Sequence, residues 1–341
     1  MENDITISLC MIVKNEEKVL RRCLMSLAGL MDEMIIVDTG SVDKTKEIAL
    51  EFTDRVYDFT WVGDFAKARN FAFSKASCDY IYSADADEIL DQENREKFAH
   101  LKKSLLPEVE IVQMYYCNQL ENGSVYNFDR ELRAKLFKRE RHFTWIEPVH
   151  EVVRELPVVF DSDIEIIHKP EGSHSGRDIQ IFEGLINRGE TLSKRLLKMY
   201  ARELLIAGEE TGFLHAEAYF TQIADSDQTE AEELTYAVCV VAYASFFRKD
   251  YLKMYRYALK EIAMEPASEV CFVLGEYYLS QKDPQEASVW FYNAAFETEC
   301  ALSLLYGGAL ALSRLADCYR LLGDEEQAAY YEGMMSEQKS R

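Results

Sequence analysis

Over roughly the first 170 residues, apolar β-rich runs alternate with stretches of helical spacing, and beyond about Ser175 the alternation stops. ITISLCMIV (5–13) precedes EEKVLRRCLMSLAGL, where Leu20, Cys23, Leu24 and Leu27 keep one helical face. MIIV (34–37) precedes VDKTKEIALEF, and RVYDF precedes FAKARNFAFSKA, for which Asp64 is the expected N-cap. DYIYS follows. Strands alternating with helices imply βαβ units and a mostly parallel sheet. From Val109 onward VEIVQMYYC, RAKLFKR, VVRELPVVF and IEIIH read as strands on short connections, which makes the sheet mixed.

The later half is written in long amphipathic helices. An offset of 34 residues aligns Val241 with Gly275, Ala244 with Tyr278 and Tyr257 with Phe291. Leu274, Gly275, Tyr278, Ala287, Phe291 and Ala294 stand at tetratricopeptide-repeat spacing, and a looser copy holds Leu315, Ala316, Tyr319 and Ala328. Small residues let paired helices approach, and aromatics fill the gap. A generic helical bundle is the plainer reading. Stacked repeats would instead form a concave face suited to peptides or partner proteins. The expected organisation is an α/β catalytic domain over 1–175, a connecting loop or helix over 176–200 and a helical-repeat domain over 201–341.

The charge balance excludes one class of partner. With 60 acidic against 38 basic residues the net charge is −22, and no basic stripe offers itself to nucleic acid. An anionic ligand would need a local cation, which a metal could supply. The eight cysteines are scattered singly without a CxxC pair, so a structural zinc site is not expected. They fit a reducing, cytoplasmic setting. No basic-then-apolar leader opens the chain, and no apolar run reaches the ~18 residues that would suggest a membrane span.

Three polar clusters fall where strands end. They are Lys14, Asn15 and Glu16; Asp38, Thr39, Gly40 and Ser41; and Asp85, Asp87 and Glu88 in YIYSADADE. Open α/β sheets bind ligands outside the carboxyl ends of their strands. Three carboxylates within four residues repel one another unless a cation or solvent relieves them. A calcium EF-hand loop from Asp85 would need glycine where Leu90 stands. A DxDxT phosphatase motif fails at Ile89, and no GxGxxG or GxxxxGK[ST] occurs. What remains is a strand-end D-x-D able to hold Mg²⁺ or Mn²⁺ against a diphosphate.

CMIVKNEE, IIVDTGSVDKT, DFAKARN and SADADE, in this order, resemble an inverting family-2 glycosyltransferase of GT-A fold. RAKLFKRERHFTWIEPVHE and IEIIHKPEG extend the resemblance, which covers about residues 5–200. Some members of that family carry C-terminal tetratricopeptide-like repeats, including peptide S-glycosyltransferases of bacteriocin pathways, and this chain is similar to them in architecture. The resemblance implies roles. Asp38 would accept the uracil imide N–H, with Asn15 and Glu16 in the same nucleotide pocket. Arg69 would lie near uracil or pyrophosphate, and Asn70 beside it would also face the donor. Asp85 would meet ribose or a metal-bound water, and Asp87 would ligate Mn²⁺ or Mg²⁺ directly. Glu151 would be the general base, with Glu147 in reserve, and His150 and Trp145 would line the acceptor or sugar pocket. His168 would be the third metal ligand, with His174, in the Gly/Ser-rich segment EGSHSGRD, as its competitor.

Each assignment has a plainer counterpart: an exposed helix face for Arg69 and Asn70, a strand cap for His150 and Glu151, a packed edge residue for His168, a core residue for Trp145. The implied activity is metal-dependent, inverting transfer from a UDP-sugar to a peptide or protein side chain, or else to a cell-surface glycan or lipid-linked acceptor. Two other classes compete. A sugar-nucleotide pyrophosphorylase would carry a Gly-rich basic loop after the first strand, and KNEEKVL has no glycine. A non-catalytic repeat adaptor would not keep candidates for base, metal and nucleotide roles together. The helical face could also join two copies of the chain.

Overall fold

Eight strands hydrogen-bond in the order β3-β2-β1-β4-β7-β6-β10-β5 in the computed structural model, which describes residues 5–117, 130–153, 157–169, 175–263 and 266–338. The first unit, Met1–His174, contains this sheet. Its elements are β1 (Ile7–Val13), α1 (Leu20–Leu27), β2 (Glu33–Asp38), α2 (Thr45–Leu50), β3 (Val56–Asp58), α3 (Phe65–Phe73), β4 (Tyr80–Ala84), β5 (Glu88–Ile89), α4 (Gln92–Ser104), β6 (Ile111–Cys117), β7 (Arg130–Lys138), β8 (Trp145–Ile146), β9 (Val152–Val153) and β10 (Val159–His168). β1 pairs in parallel with β2 and β4, β2 with β3, and β6 with β10. β7 runs antiparallel between β4 and β6, and β5 runs antiparallel to β10. β8 and β9 form a separate two-stranded ribbon. The mixed, mostly parallel sheet read from the residue pattern is the one observed.

Both faces of the central strands are covered, which is why β1 and β2 read as continuous apolar runs. Leu9 and Met11 of β1 pack with Leu20, Leu24 and Leu27 of α1 and Phe98 of α4 on one face. Cys10, Ile35, Val37 and Phe137 pack with Ala72 and Phe73 of α3 on the other. α1 buries the four residues that share its apolar face. Asp64 caps α3 by accepting the Lys67 N–H at 3.0 Å. Register then aligns the strand ends: Val13 faces Asp38, Met11 faces Ala84, and His168 faces Glu88.

The second unit, Ser175–Arg341, is helical. It holds α5 (Ser175–Asn187), α6 (Lys194–Ala207), α7 (Glu210–Ala224), α8 (Ala231–Phe247), α9 (Tyr251–Ile262), α10 (Ser268–Ser280), α11 (Pro284–Tyr292), a π-helical turn at Asn293–Glu297, α12 (Ala309–Leu322) and α13 (Glu325–Gln338). Residues 176–200, expected as a connector, are α5 and the start of α6. Ile179, Ile181, Phe182 and Leu185 bury one face of α5, and Phe182 stacks on Tyr200 at 4.8 Å. Helix pairs α8/α9, α10/α11 and α12/α13 carry the repeat. Gly275 lies against the Phe291 ring, and Ala287 and Ala294 are fully buried. Leu315, Ala316, Tyr319 and Ala328 follow their counterparts by 41 residues rather than 34, because the π-helical turn and the segment up to Gly308 lengthen the connection between α11 and α12. All eight cysteines are free thiols. No helix among the described residues is long and apolar enough to cross a membrane.

Candidate active site

The loops after β1 and β2 are fastened to each other by a reciprocal set of hydrogen bonds. Asn15, in a left-handed conformation at φ 57°, donates its backbone N–H to Ser41 Oγ at 2.9 Å and accepts the Val42 N–H on Oδ1 at 2.9 Å. The Glu16 N–H reaches Thr45 Oγ1 at 2.6 Å, and Glu17 accepts the Lys44 N–H at 3.1 Å. The side-chain carbonyl of Asn15 thus serves the cradle itself. Asp38 ends β2 nearly buried. Its Oδ1 accepts the N–H groups of Gly40 and Ser41, each at 2.8 Å, while Oδ2 is buried with no hydrogen-bond partner among the described residues. A buried acceptor without a donor is costly unless a ligand supplies one.

Arg69 of α3 lies deep in the same edge. Its Nη2 donates to Asp85 at 2.8 Å and Nη1 to Ser83 Oγ at 3.2 Å, and Nε bonds the carboxylate of Glu151. Burial opposes the charge of Arg69, but the two carboxylates outweigh it and raise its pKa. Burial likewise would raise the Asp85 carboxyl, yet Arg69 and then Lys135 hold it well below the usual carboxylate range. Asn70, next along α3, turns to the backbone of Trp145: Nδ2 donates to its carbonyl at 2.9 Å, and Oδ1 accepts its N–H at 2.8 Å. Trp145 packs against Phe73 and Phe137, with the Arg69 guanidinium 5.4 Å from its ring centre.

Between Trp145 and Glu151 the chain bends sharply. Glu147 and His150 both take positive φ, 69° and 50°, and the Pro148 carbonyl accepts the Phe65 N–H at 2.8 Å. Non-glycine residues held in that region concentrate at functional sites.

Across the edge, His168 Nε2 and Asp87 Oδ2 lie 3.0 Å apart at the end of β10. Two neighbouring ligands of an octahedral ion, each bound at about 2.1 Å, are separated by about 3.0 Å. The donor set of one carboxylate and one imidazole, with Asp85 two residues away, therefore fits a divalent cation such as Mn²⁺ or Mg²⁺. Asp85 itself is engaged by Arg69. His174 lies outside the described residues.

Sequence reasoning passed over Lys135. It lies in the middle of β7, almost wholly buried, and its Nζ donates to Glu88 Oε1 at 2.7 Å. Burial pushes Glu88 up to about 7 against the pull of that lysine. The only available signal was a lysine between Ala134 and the buried Leu136 and Phe137, and an inward charge in a strand needs a partner.

The structure therefore brings Asp38, Arg69, Asp85, Asp87, Glu151 and His168 to the carboxyl edge of one sheet. Three kinds of likeness to known proteins accompany this layout. The Glycosyl transferase family 2 profile matches residues 8–156. A TPR repeat-containing protein of Synechococcus elongatus is 34% identical over 147 residues, 43% of this chain and 35% of that protein. The glycosyltransferase SunS of the Bacillus subtilis SPbeta prophage is 28% identical over 209 residues, 58% of this chain and 49% of that protein. An uncharacterized glycosyltransferase of Rickettsia typhi is 28% identical over 170 residues, 48% of this chain and 56% of that protein. The chain thus spans between about a third and just over half of these relatives. A glucosyl-3-phosphoglycerate synthase of Mycobacterium tuberculosis, solved with Mn²⁺ and UDP-glucose, overlaps 55% of this chain and 81% of its own at 15% identity. The TM-score of that overlap is 0.39. On strand order, edge chemistry and family match together, residues 8–156 are similar to glycosyl transferase family 2, within a mixed, mostly parallel α/β unit that is followed by a tetratricopeptide-like helical unit.

Proposed function

We propose that this chain transfers a sugar from a UDP-sugar to a peptide or protein side chain, inverting the anomeric centre. The observation that carries this reading is the 3.0 Å approach of Asp87 and His168 at the same strand edge as the unpartnered Asp38 Oδ2. A nucleotide base with an imide N–H would satisfy Asp38, as uracil does. Asp87 and His168 would hold Mn²⁺ or Mg²⁺, which would neutralise charge on the leaving diphosphate.

Inversion is a single displacement. The bond from the anomeric carbon to the diphosphate oxygen breaks, the bond to the acceptor forms on the opposite face, and the acceptor proton passes to a base. Glu151 is that base in this reading. Arg69 orients it, and a carboxylate bound on one oxygen still has lone pairs for a proton. The tandem helix pairs are read as the acceptor-selecting element, since such repeats present extended surfaces.

A panel of UDP-sugars incubated with Mn²⁺ tests the reading without a known acceptor, through donor hydrolysis and through UDP affinity. Hydrolysis of one donor, lost in Asp87→Ala, supports it. Release of pyrophosphate from UTP and a sugar 1-phosphate would replace it with a pyrophosphorylase, and absence of UDP binding in the presence of Mn²⁺ with an adaptor.

A further inference from the structure

β7 departs from regular pairing at one residue. Val112 faces Leu136 and Gln113 faces Ala134, so Lys135 is the extra residue of a β-bulge. The pairing of β7 with β4 also ends there, at Tyr82 and Leu136. Bulges re-aim a side chain and are frequent beside active sites. Here the bulge directs Lys135 into the protein at Glu88, with side chains only 7% and 3% exposed.

Glu88 closes the segment that carries the two aspartates. The chain leaves β4 at Ala84 and rejoins the sheet four residues later as β5, on the far side of β7, β6 and β10. Asp85, Ala86 and Asp87 form the strap between these points. Its near end is held by the Cys23 thiol on the Asp85 carbonyl at 3.4 Å and by Arg69 Nη2 on the Asp85 carboxylate at 2.8 Å, and its far end by the Lys169 N–H on the Asp87 carbonyl at 2.9 Å. The Glu88 N–H closes the turn on the Asp85 carbonyl at 3.2 Å. The Lys135–Glu88 ion pair joins the strap to the centre of the sheet, and the register of β5 with β10 places Glu88 opposite His168.

We propose that Lys135 is a positioning residue: through its buried pair with Glu88 it fixes the Asp85–Asp87 strap, and with it Asp87 relative to His168, in the geometry that binds a divalent cation. This rests on the reading of Asp87 and His168 as ligands. Simple electrostatics makes the opposite prediction. A buried ammonium near a cation site repels the cation, so its removal alone would tighten binding. A positioning role makes removal weaken binding, as loss of groups that orient ligands generally does, by roughly 10–100-fold.

The experiment is a titration with Mn²⁺ alone, followed by the electron paramagnetic resonance signal of the free ion, on the full chain. Lys135→Met is expected to bind Mn²⁺ at least about tenfold more weakly than wild type, and Lys135→Arg, which keeps the charge and the donor, to lie within a few-fold of wild type. A folded Lys135→Met that binds as tightly as wild type, or more tightly, overturns the proposal. If Lys135→Met does not fold, the double variant Lys135→Met/Glu88→Met cuts the same tether while removing both charges of the pair: weaker binding supports the proposal, and unchanged or tighter binding overturns it. Asp87→Ala separates the two levels. If it binds Mn²⁺ like wild type, the ligand reading itself fails. If it loses Mn²⁺ while Lys135→Met does not, only the positioning role fails.

Discussion

Arg69 and Glu151, 82 residues apart in sequence, are joined side chain to side chain in a nearly buried ion pair. Arg69 also holds Asp85, so one guanidinium ties the proposed base to the carboxylate beside the proposed metal ligand. Breaking a buried pair leaves an uncompensated charge, so neither residue is free to vary.

Glu151→Gln keeps the shape and the contact with Arg69 but cannot take a proton. Its kcat should fall by about 10²–10⁴, while UDP affinity measured by calorimetry stays near wild type. Unchanged kcat would move the base to another residue, with Glu147 the next to test.

Asn70→Ala should lower kcat and leave the KM for the donor unchanged. Asn70 contacts the backbone of Trp145 on both its polar atoms, and Trp145 begins the bent segment that ends at Glu151. Removing the amide frees that segment without touching the Asp38 cradle. A raised donor KM with unchanged kcat would instead make Asn70 a donor-binding residue.

The edge of the sheet was legible because strand ends are marked by composition. YIYS stops at Asp85 and MIIV stops at Asp38, and both residues lie where a parallel sheet opens its ligand cleft. What Arg69, Asn70 and Trp145 do was not legible, because their partners are 14 to 82 residues distant and depend on how α3 packs. Asn15 and Asn70 illustrate the difficulty. The side chains of both bond backbone groups of segments distant in sequence, partners that the sequence does not show. Lys135 was hidden for another reason: a bulge breaks the alternation that would have assigned its face.

The helical unit should lose stability as pH rises from about 4.5 towards 7. Glu261 is 2% exposed, and burial lifts its pKa from 4.5 to about 7. A carboxyl group whose pKa is raised by folding stabilises the fold while protonated. That contribution is complete below pH ~4.5 and is lost by pH ~7, for a total of about 3 kcal/mol. Glu261→Gln keeps an acceptor for the Ala267 N–H, which bonds Glu261 Oε1 at 2.7 Å, and removes the titration. The difference in stability between urea unfolding at pH 5 and at pH 8 should be smaller for the variant than for wild type. An equal pH dependence in both would assign the effect to other groups.

Gly275→Ala tests the repeat packing directly. Alanine is the better helix former by roughly 1 kcal/mol, so an open site would gain stability from the change. Gly275 is not an open site: a Cβ there would stand 2.6 Å from Cε1 of Phe291 and 2.8 Å from two further ring carbons. The Phe291 ring is fully buried and backed by Phe272 at 5.1 Å, so it has little room to retreat. Overpacking of this kind costs typically 1–3 kcal/mol, which exceeds the propensity gain in most of its range. Net destabilisation of up to about 2 kcal/mol at unchanged m-value is therefore expected. Phe291→Leu alone should also destabilise, but in the Gly275→Ala background the smaller side chain makes room for the new methyl. The double variant should then be more stable than the two single effects predict, and strict additivity would show that α10 and α11 do not meet through this pair.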